Sequence, residues 1–307
     1  MMIPKKLSRG MAIGIIAPSG PADQDSLNTA IINMRAKGYN VKIGAHLFDR
    51  LGFLAGKDED RAADLNEMFS DANVDAIFCA RGGYGAGRLL DRIQWDRLTE
   101  HPKIFCGYSD ITILHLAIER YCGIISFHGP MAQKLDGNLP QPAEECFWKM
   151  MEHSEPFGKY DCGGASIITL HGGTAQGRLS GGCLSLLAAA AGTKEEPDFR
   201  GKIVVIEDVG ENVYRVDRML LQMERAGIMQ QAEGFVIGDV TDCPDKQQPI
   251  SLLDIWQDRI AKWRKPAIAG FPFGHVVSPY TIPLGCMAEL NADNRTLTIL
   301  EPAVKNC

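Results

Sequence analysis

Residues 75–90 read DAIFCARGGYGAGRLL, and residues 103–121 read KIFCGYSDITILHLAIERY. Each begins with a short apolar run, passes through a loop rich in Gly, Tyr or Ser, and continues with helix-period apolar spacing. That is a strand-loop-helix unit, and it occurs elsewhere in the first half of the chain. Met11–Ala17 is an apolar run that ends in Pro18-Ser19-Gly20. A helical pattern from about Asp25 to Lys37 stops at Gly38, and a second strand candidate begins at Tyr39. Repeated units of this kind predict a mostly parallel sheet flanked by helices, with ligands gathering beyond the carboxyl ends of its strands. The loops to watch are therefore APSG (17–20), RGGYGAG (81–87) and GYSD (107–110).

From about Asn138 to Gly164 the pattern loosens into LPQPAEE and HSEPFGKYDCGG, which reads as a linker. The expected division is residues 1–137 as an N-terminal α/β domain, 138–164 as the linker and 165–307 as a strand-rich α+β domain. In the last part, Lys202–Ile206, Phe235–Val240 and Thr296–Leu300 read as strands and Tyr214–Arg225 as a helix.

The length of 307 residues accommodates two domains of roughly 150 residues. Apolar residues at 45% and charged residues at 23% are ordinary globular usage. A net charge of −6 provides no drive toward phosphate backbones or anionic lipid, so nucleic acid is not expected as a partner. No run approaches the roughly 20 apolar residues needed to cross a bilayer. The basic start and short apolar run at 11–17 resemble a signal peptide but read better as a first buried strand. Nine cysteines, the closest pairs 16 residues apart, argue against both a disulfide framework and CxxC metal knuckles. Free thiols of this kind suit a reducing cytoplasm. Without HExxH, a Cys/His cluster or a calcium-loop spacing, neither a metal nor another cofactor is expected.

The glycine loop at 81–87 fails both nucleotide fingerprints. Arg88 stands where Gly83-x-Gly85 would need a further glycine, and Arg88-Leu89 follows Gly87 where a P-loop needs Lys-Ser/Thr. What remains is a loop whose N–H groups can face a negative charge, or a tight turn that needs glycine for its backbone angles. In GYSD, Ser109 reads either as a nucleophile on a strand-to-helix elbow, although Ile111 replaces the second glycine of G-x-S-x-G, or as a helix N-cap shared with Asp110. A serine nucleophile needs a base, and the base needs an orienting group. Of the seven histidines, at 46, 101, 115, 128, 153, 171 and 275, the sequence favours His128 after the ISF run and His275 in FPFGHVVSP. Glu207 and Asp208, ending KIVVI, are candidate orienting carboxylates or solvated surface groups.

Taken together, these pieces resemble the LD-carboxypeptidase family, a family of serine peptidases. The matching segments run in order along nearly the whole chain: IAPSG at 16–20, ARGGYGAGRLL at 80–90, GYSDIT at 107–112, FHGPM at 127–131, EDVGENVYRVDRMLLQ at 207–222 and GHVVSPYTIPLG ending at Gly285. The resemblance implies a Ser109–His275–Glu207 triad and an oxyanion hole formed by the N–H groups of Asp110 and Gly83. By charge and position, Arg81 is a candidate for binding the substrate carboxylate. The implied substrate is a murein tetrapeptide or related muropeptide from cell-wall recycling, cut before its terminal D-Ala, and the implied assembly is a homodimer. Alternatives are a microcin-immunity-type hydrolase of peptidyl or aminoacyl nucleotides and a non-catalytic anion-binding protein. One departure is Cys183 in GGCLS, where many relatives read GGNLS; a thiol cannot make an amide side chain's hydrogen bonds.

Overall fold

The structure of the chain is a computed structural model that describes residues 1–244 and 249–306. In the first half, β1 (Ala12–Ile16), β2 (Asn40–Ile43), β3 (Ala76–Cys79), β4 (Ile104–Gly107) and β5 (Ser126–His128) alternate with α1 (Gln24–Ala36), α2 (Asp58–Ser70), α3 (Trp95–Glu100) and α4 (Thr112–Ala117). A fifth helix follows, α5 (Gln141–Glu152). The second half adds β6 (Gly158–Lys159), β7 (Ile168–His171), β8 (Thr174–Cys183), β9 (Lys202–Val209), β10 (Gly234–Thr241), β11 (Ala267–Ala269), β12 (Ile282–Leu284), β13 (Met287–Asn291) and β14 (Thr296–Ile299). Its helices are α6 (Leu184–Ala190), α7 (Val213–Arg225) and α8 (Leu252–Trp263).

Helix boundaries follow local chemistry. The Asp23 carboxylate accepts from the Ser26 N–H at 2.9 Å to start α1, and the chain leaves the helix through Gly38 at φ +99°. Ser251 and Asp254 form a reciprocal capping box at the start of α8. The RLLDRIQW stretch does not continue as a single α-helix. Residues Ala86–Arg92 form a 3₁₀ segment whose buried positions, Ala86 and Leu89, are three apart as that geometry requires, and Ile93 then returns to extended backbone.

The first sheet has strand order β12-β5-β4-β3-β1-β2, parallel throughout except for β12, which pairs antiparallel to β5. The expected mostly parallel sheet is present, with one strand contributed from more than 150 residues beyond β5. The second sheet, β6-β14-β13-β8-β9-β10-β11-β7, has a parallel centre and antiparallel flanks, in line with the strand-rich α+β expectation. α4 packs on α6 and β8, so the helix leaving Ser109 lies against the second sheet. Each of the two hydrophobic clusters draws on both sheets: one joins Ile77 and Phe105 to Leu187 and Val204, the other joins Phe78 and Ile282 to Val205 and Leu297.

The segment 138–164, expected as a linker, is built into the fold. α5 buries Phe147, Trp148 and Met151, with the Phe147 ring edge-on to Phe78 of β3 at 5.4 Å and Trp148 stacked on Tyr39 at 5.5 Å. β6 pairs with β14. Its Pro and Gly residues fall at or between the ends of elements, while the apolar spacing within QPAEECFWKMME carries the packing. Phe147→Ala should therefore lose about 3–5 kcal/mol of stability, as a core truncation does and a linker change does not. Thermal or urea unfolding against wild type checks this, and an unchanged midpoint would mean α5 is not part of the core.

Candidate active site

Ser109 lies one residue beyond Tyr108, which follows β4, in a left-handed backbone conformation at φ +63°. A side chain in that region costs about 1–2 kcal/mol, so the position is strained unless its surroundings hold it. The N-cap reading is overturned here. Neither the 3₁₀ turn Ser109–Ile111 nor α4 has a side-chain cap. Instead the Asp110 carboxylate reaches back across the sheet, accepting from Ser19 Oγ at 2.7 Å and from the Ala86 N–H at 2.8 Å. Burial raises the Asp110 pKa, and the donors at Ser19 and Ala86 oppose that rise. One side chain thus ties together APSG, RGGYGAG and GYSD.

The glycine loop approaches closely because its residues have no side chains. A Cβ on Gly82 would lie 2.9 Å from Ser109 Cβ and 3.1 Å from its Oγ. Gly83 is at φ +112° and exposed, and Gly20 donates to the Gly82 carbonyl at 3.0 Å. Beneath the loop, the buried Arg61 guanidinium donates to the carbonyls of Pro18 and Gly85 and pairs with Asp58 at 2.6 Å. Arg81 is exposed and donates to the Pro21 carbonyl at 2.8 Å.

The second sheet supplies the other half of the site. Glu207, the sixth residue of β9, has a fully buried side chain, and its Oε2 lies 2.7 Å from His275 Nδ1 and 3.2 Å from the His275 N–H. The surface-solvation alternative therefore fails for Glu207, and Asp208 is buried too. Burial alone would push the Glu207 carboxyl upward; the neighbouring histidines outweigh it and hold it well below the usual carboxylate range. Gly274 leaves the room this requires, since a Cβ there would lie 2.3 Å from the Glu207 carboxyl carbon. His275 remains 17% exposed, and its ring lies edge-on to Tyr108 at 4.8 Å between centroids. Burial raises the Tyr108 phenol to about 12, so it stays protonated at neutral pH.

Tyr108 and His275 face a cleft of about 520 Å³, shared with Lys134, Asp136, Thr241 and Val277. It lies where β9 and β10 end and where the chain leaves β4, the placement expected of a ligand site in an α/β protein. The Cys183 N–H donates to Thr112 Oγ1 at 3.0 Å, joining the end of β8 to α4. The Cys183 thiol meets Asp208 Oδ1 at 3.2 Å, and burial raises its pKa well above the ordinary value, so it is an inert neighbour of the site. For cations, His46, Asp49 and Asp60 bring ligand atoms within 4.8 Å of one another, on the loop after β2 and the first turn of α2.

Two contributions were missed from sequence. One is the Asp110 tie, whose residue looked like a local cap. The other is His128, which was weighed as a base but is 1% exposed at the end of β5, facing Glu207 at 3.4 Å. The placement of FHGPM after a buried run was the available signal for it.

A strained serine after a parallel strand, a glycine loop close against it, and a buried carboxylate–imidazole pair whose ring meets the tyrosine before that serine make the layout of a serine hydrolase. Two family models match the chain: the LD-carboxypeptidase N-terminal domain over residues 13–129 and the LD-carboxypeptidase C-terminal domain over residues 176–290. A probable murein peptide carboxypeptidase of Bacillus subtilis is 39% identical over 96% of this chain and 93% of its own. The crystal structure of a muramoyltetrapeptide carboxypeptidase from Oxalobacter formigenes superposes with a TM-score of 0.82 at 30% identity, covering 95% of this chain and 100% of that one. An MccF-like protein from Bacillus anthracis gives a TM-score of 0.88 at 27% identity, covering 98% and 100%. The chain belongs to the LD-carboxypeptidase family.

Two outcomes follow from this geometry. Gly82→Ala should slow fluorophosphonate labelling of Ser109 by about 10²-fold while far-UV circular dichroism stays as in wild type, because the new methyl displaces the serine. Unchanged labelling would show that the loop yields freely. His115 is fully buried, its Nε2–H donating to the Gly107 carbonyl and its Nδ1 accepting from Ser126 Oγ, both at 2.8 Å. Burial, against the bond to Gly107, lowers its pKa from 6.5 to about 3. The unfolded chain takes up this proton near 6.5 and the native protein only near 3, so native stability falls as pH drops through that window. Thermal midpoints between pH 7 and pH 4 check this: the decline should be shallower in His115→Gln, and an equal decline would exclude His115 as a source.

Proposed function

We propose that this chain is a serine-type LD-carboxypeptidase that removes the terminal D-Ala of murein tetrapeptides during cell-wall recycling. Supporting the chemistry is the Glu207–His275 pair at 2.7 Å, with the imidazole against Tyr108, the residue before the strained Ser109. The names carried by the Bacillus subtilis and Oxalobacter formigenes relatives support the substrate class.

In this reading His275 takes the Ser109 proton at Nε2 as Oγ attacks the scissile carbonyl, while Glu207 holds Nδ1–H and stabilises the imidazolium. The main-chain N–H groups of Asp110 and Gly83 receive the developing oxyanion, each such donor being worth about 3–4 kcal/mol of barrier. His275 then protonates the departing D-Ala nitrogen. Water, deprotonated by the same imidazole, cleaves the acyl ester and returns Ser109. The free carboxylate of the substrate needs a cation, and Arg81 is the candidate, on condition that its bond to Pro21 is exchanged for the ligand. Cytoplasmic placement, argued from the unpaired cysteines among the described residues, and a homodimer, carried over from the family resemblance, belong to the same reading.

The test is mass spectrometry of a purified muropeptide mixture before and after treatment, which should show tetrapeptides losing one alanine. Ser109→Ala, His275→Ala and Glu207→Ala should each lower turnover by about 10³-fold or more in folded protein. Full activity in Ser109→Ala would end the proposal. Release of a nucleoside product from a peptidyl nucleotide, without D-Ala release from muropeptide, would move the chain to the immunity-type activity.

A further inference from the structure

The buried face of Glu207 opposite His275 holds two polar atoms that the catalytic reading does not use. Glu207 Oε1 and His128 Nε2 lie 3.4 Å apart, both fully shielded from water, and neither has another hydrogen-bond partner. The separation falls within ion-pair range but the orientation falls short of a good hydrogen bond. A carboxylate oxygen and an imidazole nitrogen each left single in a dry interior are both unfavourable, and together they resolve that: the nitrogen carries a proton and points it at the oxygen.

His128 is held for this from several sides. Its strand, β5, pairs with β4 through Gly107 and with β12 through Ile282. Its ring is bracketed by Tyr108 at 5.9 Å and Phe273 at 5.5 Å, with His115 of α4 at 6.4 Å. The charged or titratable groups facing Glu207 are then His128 from the first sheet, His275 from the loop after β11, Cys183 opposite it on β8, Asp208 on its own strand, and Tyr108. At 1% exposure His128 does not reach the cleft, whereas His275 does.

From this we infer that His128 is a positioning residue, donating from Nε2 to Oε1 of Glu207 so that the carboxylate is held ionised and aimed at His275 by both sheets at once. The inference rests on the serine-triad reading above and deepens it. Glu207 without this donor holds the proton it shares with His275 more tightly, so the imidazole becomes available as a base only at higher pH.

The experiment compares wild type, His128→Phe and His128→Gln, the last retaining an N–H donor near the Nε2 position. His128→Phe should lower kcat by about 10- to 100-fold with little change in KM, the scale seen when a partner behind a metal ligand is removed. It should also move the acidic limb of the kcat/KM profile to higher pH, and His128→Gln should recover much of both. Wild-type activity in His128→Phe, or a lower kcat with the limb unmoved and no recovery in His128→Gln, would overturn the inference. Should His128→Phe fail to fold, nitrogen-15 NMR of histidine-labelled wild type decides: Nε2 of His128 must carry a proton, and an unprotonated Nε2 refutes the role. That measurement is independent of turnover, so a wild type inactive on muropeptide would remove the proposed function without deciding His128.

Discussion

A carboxylate removed from water must be met by donors from the protein, and the chain meets this demand at Glu207 by bringing its two halves together. Oε2 takes the side-chain and main-chain nitrogens of His275, and Oε1 faces His128. Desolvation argues for a neutral acid; the imidazoles argue for the charge and prevail. One histidine stands on β5 of the first sheet and the other follows β11 of the second, so the ionised state of Glu207 depends on both sheets being in register with each other. Gly238 and Gly274 belong to the same constraint, because a methyl at either would press on the Glu207 side chain.

The strain at Ser109 is balanced by the same logic at the end of β4. A left-handed serine is unfavourable by itself, and two neighbours anchor it with long-range bonds: Asp110 to Ser19 and Ala86, Thr112 to the end of β8. These residue types satisfy helix ends in most proteins. Here the first-turn N–H groups of the short helix are left without side-chain caps, and the side chains pin three loops and a second sheet around the serine. Substitution of either anchor therefore acts on Ser109 through backbone geometry and not through helix stability.

This arrangement explains why some expectations from sequence held and others did not. Strand-loop-helix order was legible because a buried parallel strand is a continuous apolar run and the helix after it has its own period; β1, β3 and β4 fall within a residue or two of where those patterns place them. The 138–164 segment was misjudged because Pro, Gly and charge dominate its ends while Phe147 and Trp148, which carry its burial, look like isolated aromatics until Phe78 and Tyr39 are brought beside them. β12 is three residues long and contains a proline, so nothing in its composition announced that it closes the first sheet.

Local chemistry along the chain was enough to place the strands, the glycine loop and the general architecture, since periodicity and turn residues depend on neighbours a few positions apart; Ser109 stayed open between nucleophile and cap until the order of motifs along the whole chain was read as a family resemblance. Setting His275 at the cleft and His128 behind Glu207, turning Asp110 from a cap into a tie, and burying Glu207 beside both imidazoles were matters of packing across two sheets. The relevant distances join residues 68 and 79 positions apart in one case and 91 in another, and no short-range pattern encodes such separations.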